Sequence, residues 1–259
     1  MRVLAGVGIA AALTLASLGS TVGAAGRSGP PAAPPAAAGN VAIVQAVPGA
    51  TVDVTIDGKA VESGVESGQV LGPYSLSEGS HRVDFSGGDG IEQATTVKVP
   101  AGSTQDVVLH LPASVGGDAL VTTYPAPVKP IGPSKARVLV AHTANVAPAD
   151  IQVDGKVVFE NVANGEYATA YLPAGEHVVA LFPTGETTNP ILGPLTVDLA
   201  PRSLTMVYAV GNPDTDSMDL VAHTAELAAD GSLVPRMINT GSAGLAADVR
   251  VVPFGRSTS

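Results

Sequence analysis

The sequence contains no cysteine and no tryptophan, and its other aromatic residues are scarce. Without cysteine the chain cannot form a disulfide bond, offer a thiol nucleophile or hold a metal ion through thiolates. Aromatic residues make up only 3% of the chain, which counts against a sugar-binding face built on exposed rings. The stability of the folded chain must therefore come from the burial of aliphatic side chains.

Basic residues are also few. The chain has 13 lysines and arginines against 23 aspartates and glutamates, and its formal net charge is -10. Nucleic acids and anionic membrane surfaces are poor partners for such a chain. Because the acidic residues are scattered singly, they indicate a solvated exterior.

The first 24 residues have the pattern of a secretory signal peptide. Arg2 precedes a run of apolar and small residues, and Val22-Gly23-Ala24 offers small residues for cleavage. No later segment approaches the roughly 18 to 20 apolar residues that a membrane-spanning helix needs. We therefore expect a protein that is secreted or associated with the cell envelope, without an integral membrane segment. Residues 25–39, rich in proline and alanine, predict an extended tether.

Two segments have the pattern of short β-strands. Residues 40–123 and 136–225 contain apolar runs rich in valine, isoleucine, leucine and threonine, which turn-forming residues interrupt at short intervals. This pattern is typical of an antiparallel β-sandwich. The proline-rich residues 124–135 predict a linker, so we expect two separately folding domains. Residues 226–259 are expected to form a tail, which could add one strand at 247–254.

The two segments are related by duplication. VDVTIDGKAV at 52–61 matches ADIQVDGKVV at 149–158 with an offset of 97 positions. SLSEGSHRV at 75–83 matches YLPAGEHVV at 171–179 with an offset of 96, the difference being a small loop change. The chain is therefore predicted to be a tandem repeat.

Three stretches of the second segment follow one another in a recognisable order. They are RVLVAHTANVAPADIQVDG at 137–155, LPAGEHVVALFPTG at 172–185 and TMVYAVG at 205–211. In these motifs the second segment, and more loosely the first, resembles the DUF4397 family of bacterial exported proteins. The resemblance implies an all-β, immunoglobulin-like sandwich, often in tandem, without an established activity. The first segment departs from the pattern at Gln45, where the second has a histidine.

The hexapeptide LVAHTA occurs twice, at 139–144 and at 220–225. The copies lie 81 positions apart, which is not the repeat offset, so they predict the first and last strands of a single domain. Terminal strands of a sandwich can be neighbours. His142 and His223 could therefore approach each other and bind zinc or copper.

The first segment argues against this metal site. It has Gln45 and Thr123 at the corresponding places, which keep the polarity of histidine and lose its coordinating ability. We therefore predict that His142 is a hydrogen-bonded structural residue that holds the loop at 143–148, and that the chain binds no metal or other cofactor.

Further residues of the repeated motifs are predicted to be structural. Asp150 belongs to a strand, Asp154-Gly155 to the tight turn after it, and Gly175 to the turn of the LPAG motif. A calcium loop needs oxygen ligands at alternating positions and a later acidic ligand. The alternating apolar residues here favour a strand and hairpin instead. His81 and His177 lie beside matching turns, which predicts a turn-capping or exposed role.

The motifs of the common catalytic classes are missing. No serine lies in a G-x-S-x-G elbow, and the glycine-rich stretches follow no strand-to-helix pattern. We therefore predict a non-catalytic binding or structural module with an unknown envelope or extracellular partner. The alternative is an extracellular hydrolase with an unrecognised carboxylate site, for which Asp53 with Asp57, or Asp150 with Asp154, would share one strand face.

Overall fold

The computed structural model describes residues 38–234 and the backbone of residues 252–253. The predicted signal peptide, most of the tether and most of the tail lie outside the described residues.

The strands of the first repeat are β1 (Ala38–Gln45), β2 (Thr51–Ile56), β3 (Lys59–Glu66), β4 (Val70–Ser77), β5 (Gly79–Gly87), β6 (Glu92–Val99), β7 (Thr104–His110) and β8 (Leu120–Pro125). Those of the second repeat are β9 (Lys135–His142), β10 (Ala149–Val153), β11 (Lys156–Val162), β12 (Tyr167–Pro173), β13 (Gly175–Pro183), β14 (Leu192–Leu199), β15 (Ser203–Val210) and β16 (Asp219–Glu226), followed by β17 (Val252–Pro253). Short 3-10 helices lie at Gly88–Gly90 and Pro213–Thr215, and within the described part of the chain no helix is long and apolar enough to cross a membrane.

The burial of each strand follows from its side-chain alternation. In β2, Val52, Val54 and Ile56 are buried whereas Thr51 and Asp53 are exposed. Such a strand has one face on the core and the other in solvent, and its β-branched residues suit the pleated surface. All residues of β15 are buried. This strand must therefore be covered on both faces.

Each repeat is a β-sandwich with the same strand order. The sheets are β4-β1-β7-β8 and β3-β2-β5-β6 in the first repeat, and β12-β9-β15-β16 and β11-β10-β13-β14-β17 in the second. β1 pairs in parallel with β7, and β9 pairs in parallel with β15. The prediction of two tandem, largely antiparallel β-sandwiches is confirmed. The strand order differs from that of an immunoglobulin domain, in which the first two strands are neighbours in one sheet, because β1 and β2 lie in different sheets.

Each sandwich has an apolar core between its two sheets. In the first repeat this core includes Val41, Ile43, Val54, Phe85 and Val107. In the second repeat it includes Val138, Ile151, Leu181, Val197 and Val207.

A third core joins the two repeats. It contains Val44, Ala46, Val108 and Tyr124 of the first repeat and Leu139, Ala141, Met206 and Tyr208 of the second. The sheet β4-β1-β7-β8 therefore faces the sheet β12-β9-β15-β16, and we call these two the inner sheets. The described residues belong to one compact unit. The two predicted domains pack against each other in the structure, because each inner sheet buries apolar side chains on both of its faces.

The predicted linker is part of this packed structure. Within 124–135, Tyr124 belongs to β8, and both Tyr124 and Ile131 are buried in the third core. The Ile131 N–H donates a hydrogen bond of 3.1 Å to the Ala229 carbonyl oxygen, and Leu227 joins the same core. The beginning of the predicted tail thus covers the linker.

The tether and the tail contribute strand residues at their inner ends. The last two residues of the predicted tether, Ala38 and Gly39, belong to β1. Gly39 packs so closely that a Cβ atom there would lie 2.7 Å from the Pro100 carbonyl oxygen. In the tail, β17 pairs antiparallel with β14, so the strand predicted within 247–254 is present as two residues.

Candidate functional site

His142 ends β9 and binds the loop that follows it. The ring is buried, and its Nε2 donates a hydrogen bond of 3.1 Å to the Ala147 carbonyl oxygen. Gln45 ends β1, and its Nε2 donates a hydrogen bond of 2.9 Å to the Ala50 carbonyl oxygen. Ala50 and Ala147 are related by the repeat offset of 97. The two side chains therefore close equivalent loops with equivalent hydrogen bonds.

The two loop-closing residues differ in their second polar atom. The Oε1 of Gln45 accepts a hydrogen bond of 2.7 Å from the Val47 N–H. The Nδ1 of His142 is buried and has no hydrogen-bond partner among the described residues. Burial lowers the pKa of His142. The ring is therefore neutral, with its proton on the Nε2 that donates.

His142 and His223 are not brought together. β15 lies between β9 and β16, and His142 is opposite Ala209 whereas His223 is opposite Met206. The expectation that the two histidines could approach each other is wrong, because β15 separates the terminal strands of the repeat. Within residues 38–234, no three potential metal-ligating side chains are grouped to hold an ion.

The counterpart of His223 in the first repeat is Tyr124 rather than Thr123. Asp106 lies opposite Tyr124, and its equivalent Met206 lies opposite His223. The connection between β7 and β8 is one residue longer than that between β15 and β16. Because of this extra residue, the predicted correspondence of Thr123 with His223 is wrong by one position.

A buried acid joins the two inner sheets. Asp106 on β7 is fully buried, and its Oδ2 accepts a hydrogen bond of 2.6 Å from the Tyr208 hydroxyl group and another from the His223 Nε2. Both donors belong to the second repeat. The Asp106 Oδ1 has no partner in the described part of the chain. We call Asp106, Tyr208 and His223 the interface cluster.

The interface cluster holds a charge pair. Burial acts to lower the pKa of His223, but the attraction and hydrogen bond of the Asp106 carboxylate outweigh burial and raise the pKa. Burial, with the same carboxylate, raises the pKa of Tyr208 well above its ordinary value. The His223 ring and the neutral Tyr208 phenol therefore donate to the same Asp106 side chain. Removing one member of such a buried pair leaves an uncompensated charge between the repeats.

Aromatic rings extend the cluster towards β12. The ring centroid of Tyr124 lies 5.4 Å from that of Tyr208 and 5.8 Å from that of Tyr167. The Tyr124 and Tyr167 rings are nearly perpendicular, an arrangement in which a ring edge meets a ring face. Burial raises the pKa of Tyr124, so its hydroxyl group is also neutral.

Arg137 on β9 holds the linker at one end of the interface. The residue is fully buried, and its Nη1 and Nη2 donate to the carbonyl oxygens of Pro127 and Lys129. Its guanidinium group lies 5.0 Å from the centroid of the Tyr171 ring. Backbone carbonyls and an aromatic face thus stabilise this cation.

Asparagine side chains join loops at the other end of the interface. The Nδ2 of Asn145 donates a hydrogen bond of 2.9 Å to the Ser114 carbonyl oxygen. The Nδ2 of Asn164 donates one of 3.0 Å to the Leu111 carbonyl oxygen. Asn212 donates to the Asn145 Oδ1 at 2.8 Å. The first two bonds connect backbone of the first repeat to loops of the second, and the third joins two loops of the second repeat.

Both repeats carry an aspartate-histidine pair at a hairpin turn. His81 Nδ1 donates to Asp57 Oδ2 at 2.7 Å, and His177 Nδ1 donates to Asp154 Oδ2 at 2.7 Å. The Nε2 of each histidine donates to a backbone carbonyl oxygen, at 2.8 and 2.9 Å respectively. Both ring nitrogens donate in both repeats. Each histidine is therefore protonated.

The pKa shifts agree with these bonds. The hydrogen bond with Asp57 raises the pKa of His81. Burial acts to lower the pKa of His177, but hydrogen bonds to a backbone carbonyl and to Asp154 outweigh burial and raise it. The pKa of Asp57 is lowered first by His81, and that of Asp154 first by a backbone N–H group and then by His177.

The other predicted structural residues lie at turns. Asp154 and Gly155 have φ of 52° and 75°, the left-handed conformation of a tight hairpin turn. Gly175 has φ of 125° at the start of β13. The carboxylate of Asp150 accepts hydrogen bonds from the backbone N–H groups of Asn161 and Gly185, at 2.7 and 2.8 Å.

The carboxylate pairs considered for hydrolysis do not share a strand face. Asp53 and Asp150 lie on β2 and β10, but Asp57 and Asp154 lie in the turns after these strands. The expectation of paired carboxylates is therefore wrong for these residues, because the left-handed aspartate directs its side chain to the histidine.

An open groove lies along the edge strands β11 and β12. Its volume is about 660 Å³, and its lining includes Val158, Phe159, Glu160, Glu166 and Tyr167. Between the two sheets of the second repeat, a closed apolar cavity has a volume of only about 20 Å³. Of these two spaces, only the groove is large enough to admit a ligand.

The match to a known family falls on the first repeat. Residues 39–149 match the model of DUF4397, a domain of unknown function. The chain is similar to this family over those residues. The match extends from β1 to the start of β10 and covers less than half of the chain, whereas the motifs that suggested the family lie chiefly at 137–211. The DUF4397 match includes both loop-closing residues, Gln45 and His142. No curated protein matches the chain.

The interface cluster was not predicted from the sequence. One local signal was present, since Asp106 directly precedes the apolar run Val107-Val108-Leu109 within the strand TQDVVLH. Tyr208 lies in the apolar strand SLTMVYAV, where a tyrosine is an ordinary core residue. The sequence carries no signal that these two residues meet.

Proposed function

We propose that this chain is a non-catalytic binding or structural module that works outside the cell, in the envelope or the surrounding medium. The observation that carries the proposal is the interface cluster, in which Tyr208 and His223 of one repeat bind Asp106 of the other. Catalytic groups with shifted pKa values face a substrate. These groups instead hold two sandwiches together.

The bonds at both ends of the interface support a fixed geometry. Arg137 binds the linker, and Asn145 binds the chain after β7. The turns and loops of the two repeats are therefore presented at a set spacing. A surface that is ordered before binding loses less conformational entropy when a partner binds. This suits recognition or scaffolding outside the cell.

Export is the part of the proposal that rests on the sequence. Arg2, the apolar run after it and Val22-Gly23-Ala24 support cleavage after Ala24. We expect the chain recovered from the medium or envelope fraction to begin at or near Ala25, as measured by amino-terminal sequencing. A chain that keeps its first 24 residues and stays in the cytoplasmic fraction would contradict export.

Binding is tested with the exported protein as bait against envelope extract of the same cells. Val108→Lys is the matched control, because Val108 is fully buried in the core between the repeats and a charge there should separate them. Wild type should retain specific material that the variant loses, while circular dichroism shows that the strands of the variant remain. Equal retention by wild type, the variant and an unrelated acidic protein would count against the module.

A hydrolase is the second candidate, and one observation favours it. Glu160 and Glu166 both line the open groove, as two carboxylates for acid and base catalysis would. Glu166 also accepts a hydrogen bond of 3.0 Å from the Ala163 N–H. Turnover of a polysaccharide or ester that both Glu160→Gln and Glu166→Gln abolish, with the fold intact, would favour the hydrolase over the module.

A further inference from the structure

The edge strand β12 is regular and uncharged. Its residues YATAYLP pair with β9 from Tyr167 opposite Ala141 to Pro173 opposite Lys135, without a bulge. Within the described part of the chain, β12 is the outermost strand on its side of the inner sheet. Regular edges without charge are the ones most prone to pair with another strand.

Alternate residues of β12 direct their backbone groups away from the sheet. The His142 N–H donates to the Glu166 carbonyl oxygen, so the even-numbered residues of the antiparallel pair bond to β9. The N–H and C=O groups of Tyr167, Thr169 and Tyr171 therefore point outward. The side chains of both tyrosines are substantially exposed, since each residue is 44% accessible.

Residues 167–171 read the same in both directions, as YATAY. In an antiparallel pair centred on Thr169, each Thr169 faces the partner's Thr169, and Tyr167 faces the partner's Tyr171. Threonine pairs and aromatic pairs are favourable across antiparallel strands, and no like charges meet. This register also pairs the outward N–H and C=O groups of all three odd-numbered residues.

We propose that two copies of this chain associate through β12, antiparallel, with Thr169 on the twofold axis. The inner sheets of the two second repeats then form one continuous sheet. The palindrome selects a second copy as the occupant of this edge, because a twofold axis makes the strand its own complement. The inference is independent of the proposed function.

The equivalent edge strand of the first repeat, β4, has features that prevent pairing with another strand. Pro73 of β4 stands at the place of Thr169, at an offset of 96, and the pairing of β4 with β1 shifts register between Val41 and Ile43. Proline and irregular register are devices that prevent edge pairing. Charged residues occur in the edge strands β3, β6, β11 and β16.

One neighbour of β12 shares its uncharged character, although Glu166 directly precedes the strand. β8 also has no charged residue, and Tyr124 of β8 contacts Tyr167 of β12.

The net charge of -10 makes two copies repel each other at long range. Salt screens this repulsion and leaves the backbone hydrogen bonds in place. The dimer should therefore be stronger at higher ionic strength.

The first experiment measures association of the full exported chain by sedimentation velocity at several concentrations and salt levels. Thr169→Lys places like charges opposite each other on the axis and should raise the dissociation constant at least about tenfold. Thr96→Lys, at an exposed threonine of the edge strand β6, is the matched control and should dimerise like wild type. A monomeric wild type at high salt, or equal dimerisation of Thr169→Lys, would overturn the proposal.

A second experiment reports the register. The chain has no cysteine, so Thr169→Cys and Thr96→Cys each introduce a single thiol. Across the axis the two Cα atoms of residue 169 should lie about 5.5 Å apart, a separation that suits a disulfide. Mild oxidation should give a covalent dimer with Thr169→Cys and leave Thr96→Cys monomeric. Equal cross-linking of the two variants would contradict the twofold pairing through β12.

Discussion

At the scale of single residues, loop closure depends on the side chain that ends the first strand of each repeat. Gln45 donates one hydrogen bond to its loop and accepts another, whereas His142 donates one and keeps a buried nitrogen without a partner among the described residues. Both side chains donate to the equivalent carbonyl of the loop that follows, Ala50 in the first repeat and Ala147 in the second. The glutamine amide forms hydrogen bonds with both of its polar atoms, whereas the histidine ring does so with only one.

The first prediction concerns His142. His142→Gln should be at least as stable as wild type, because an amide can donate to Ala147 and also accept from the Ala144 N–H, the equivalent of Val47. His142→Ala leaves the loop carbonyl unpaired and should lose about 1 to 3 kcal/mol of unfolding free energy. Denaturant unfolding at neutral pH measures both variants, and Gln45→Ala is the matched control. Equal stability of the glutamine and alanine variants would contradict this role.

The same residue should affect the response to acid. The pKa of His142 is lowered in the folded chain, so the unfolded chain binds the proton first as the pH falls below the ordinary value of 6.5. Wild type should therefore lose stability relative to His142→Gln below that pH. A difference that stays constant between neutral and acidic pH would show that the ring is not buried as a neutral group.

At the scale of elements, the aspartate-histidine pairs connect the two sheets of each sandwich. Asp57 follows β2 and His81 lies on β5, both in the outer sheet, while the carbonyl that His81 binds belongs to Ser77 at the end of β4. The turn, the outer sheet and the edge of the inner sheet are thereby joined. The second repeat reproduces the arrangement with Asp154 and His177.

The second prediction is a pH window for these pairs. The pKa of His81 and His177 is raised above 6.5, so their contribution is complete below 6.5 and is lost as the pH rises through the folded pKa. The pKa of Asp57 and Asp154 is lowered below 3.8, so the contribution is lost on the acid side as the pH falls through that lower value.

The combined variant His81→Gln and His177→Gln tests this window. Its deficit in unfolding free energy should be largest between the two limits and should shrink at alkaline pH, as measured by urea unfolding across the pH range. Each single variant should show part of the same profile. A deficit that does not change with pH would mean that the histidines act by packing alone.

At the scale of the whole molecule, the inner sheets make one folding unit of two duplicated halves. The third core buries Val44, Val108 and Tyr124 against Leu139 and Tyr208, and the interface cluster lies within the same contact. Either repeat alone would expose this surface to water. The free energy of burial therefore couples the two halves.

The third prediction is a single calorimetric transition for wild type. Asp106→Ala removes the acceptor that Tyr208 and His223 share and should cost about 3 to 5 kcal/mol, enough to broaden or split the transition. Asp84→Ala is the matched control, because Asp84 pairs with Arg82 at the surface, where an ion pair is worth about 0 to 1 kcal/mol. Two separate transitions in wild type would contradict the coupling.

The sequence by itself determined the local structure of each repeat. Alternating apolar residues in β2 and the Asp-Gly turns at 57–58 and 154–155 specify strands and hairpins within a few residues, because strand alternation and left-handed turn residues are local properties. The offset of 97 between Gln45 and His142 likewise indicated that histidine chemistry is dispensable there. These inferences needed no knowledge of what lies across the fold.

The tertiary structure alone decided which strands are neighbours and which faces meet. β15 separates the two LVAHTA copies, and Asp106 finds partners 102 and 117 positions away in the chain. The near-continuous apolar run of β15 indicates a strand that is buried on both faces, but the run does not reveal which sheet covers the second face. The joining of the repeats is set by apolar burial and by the bonds of Asp106 between segments that are distant in the chain.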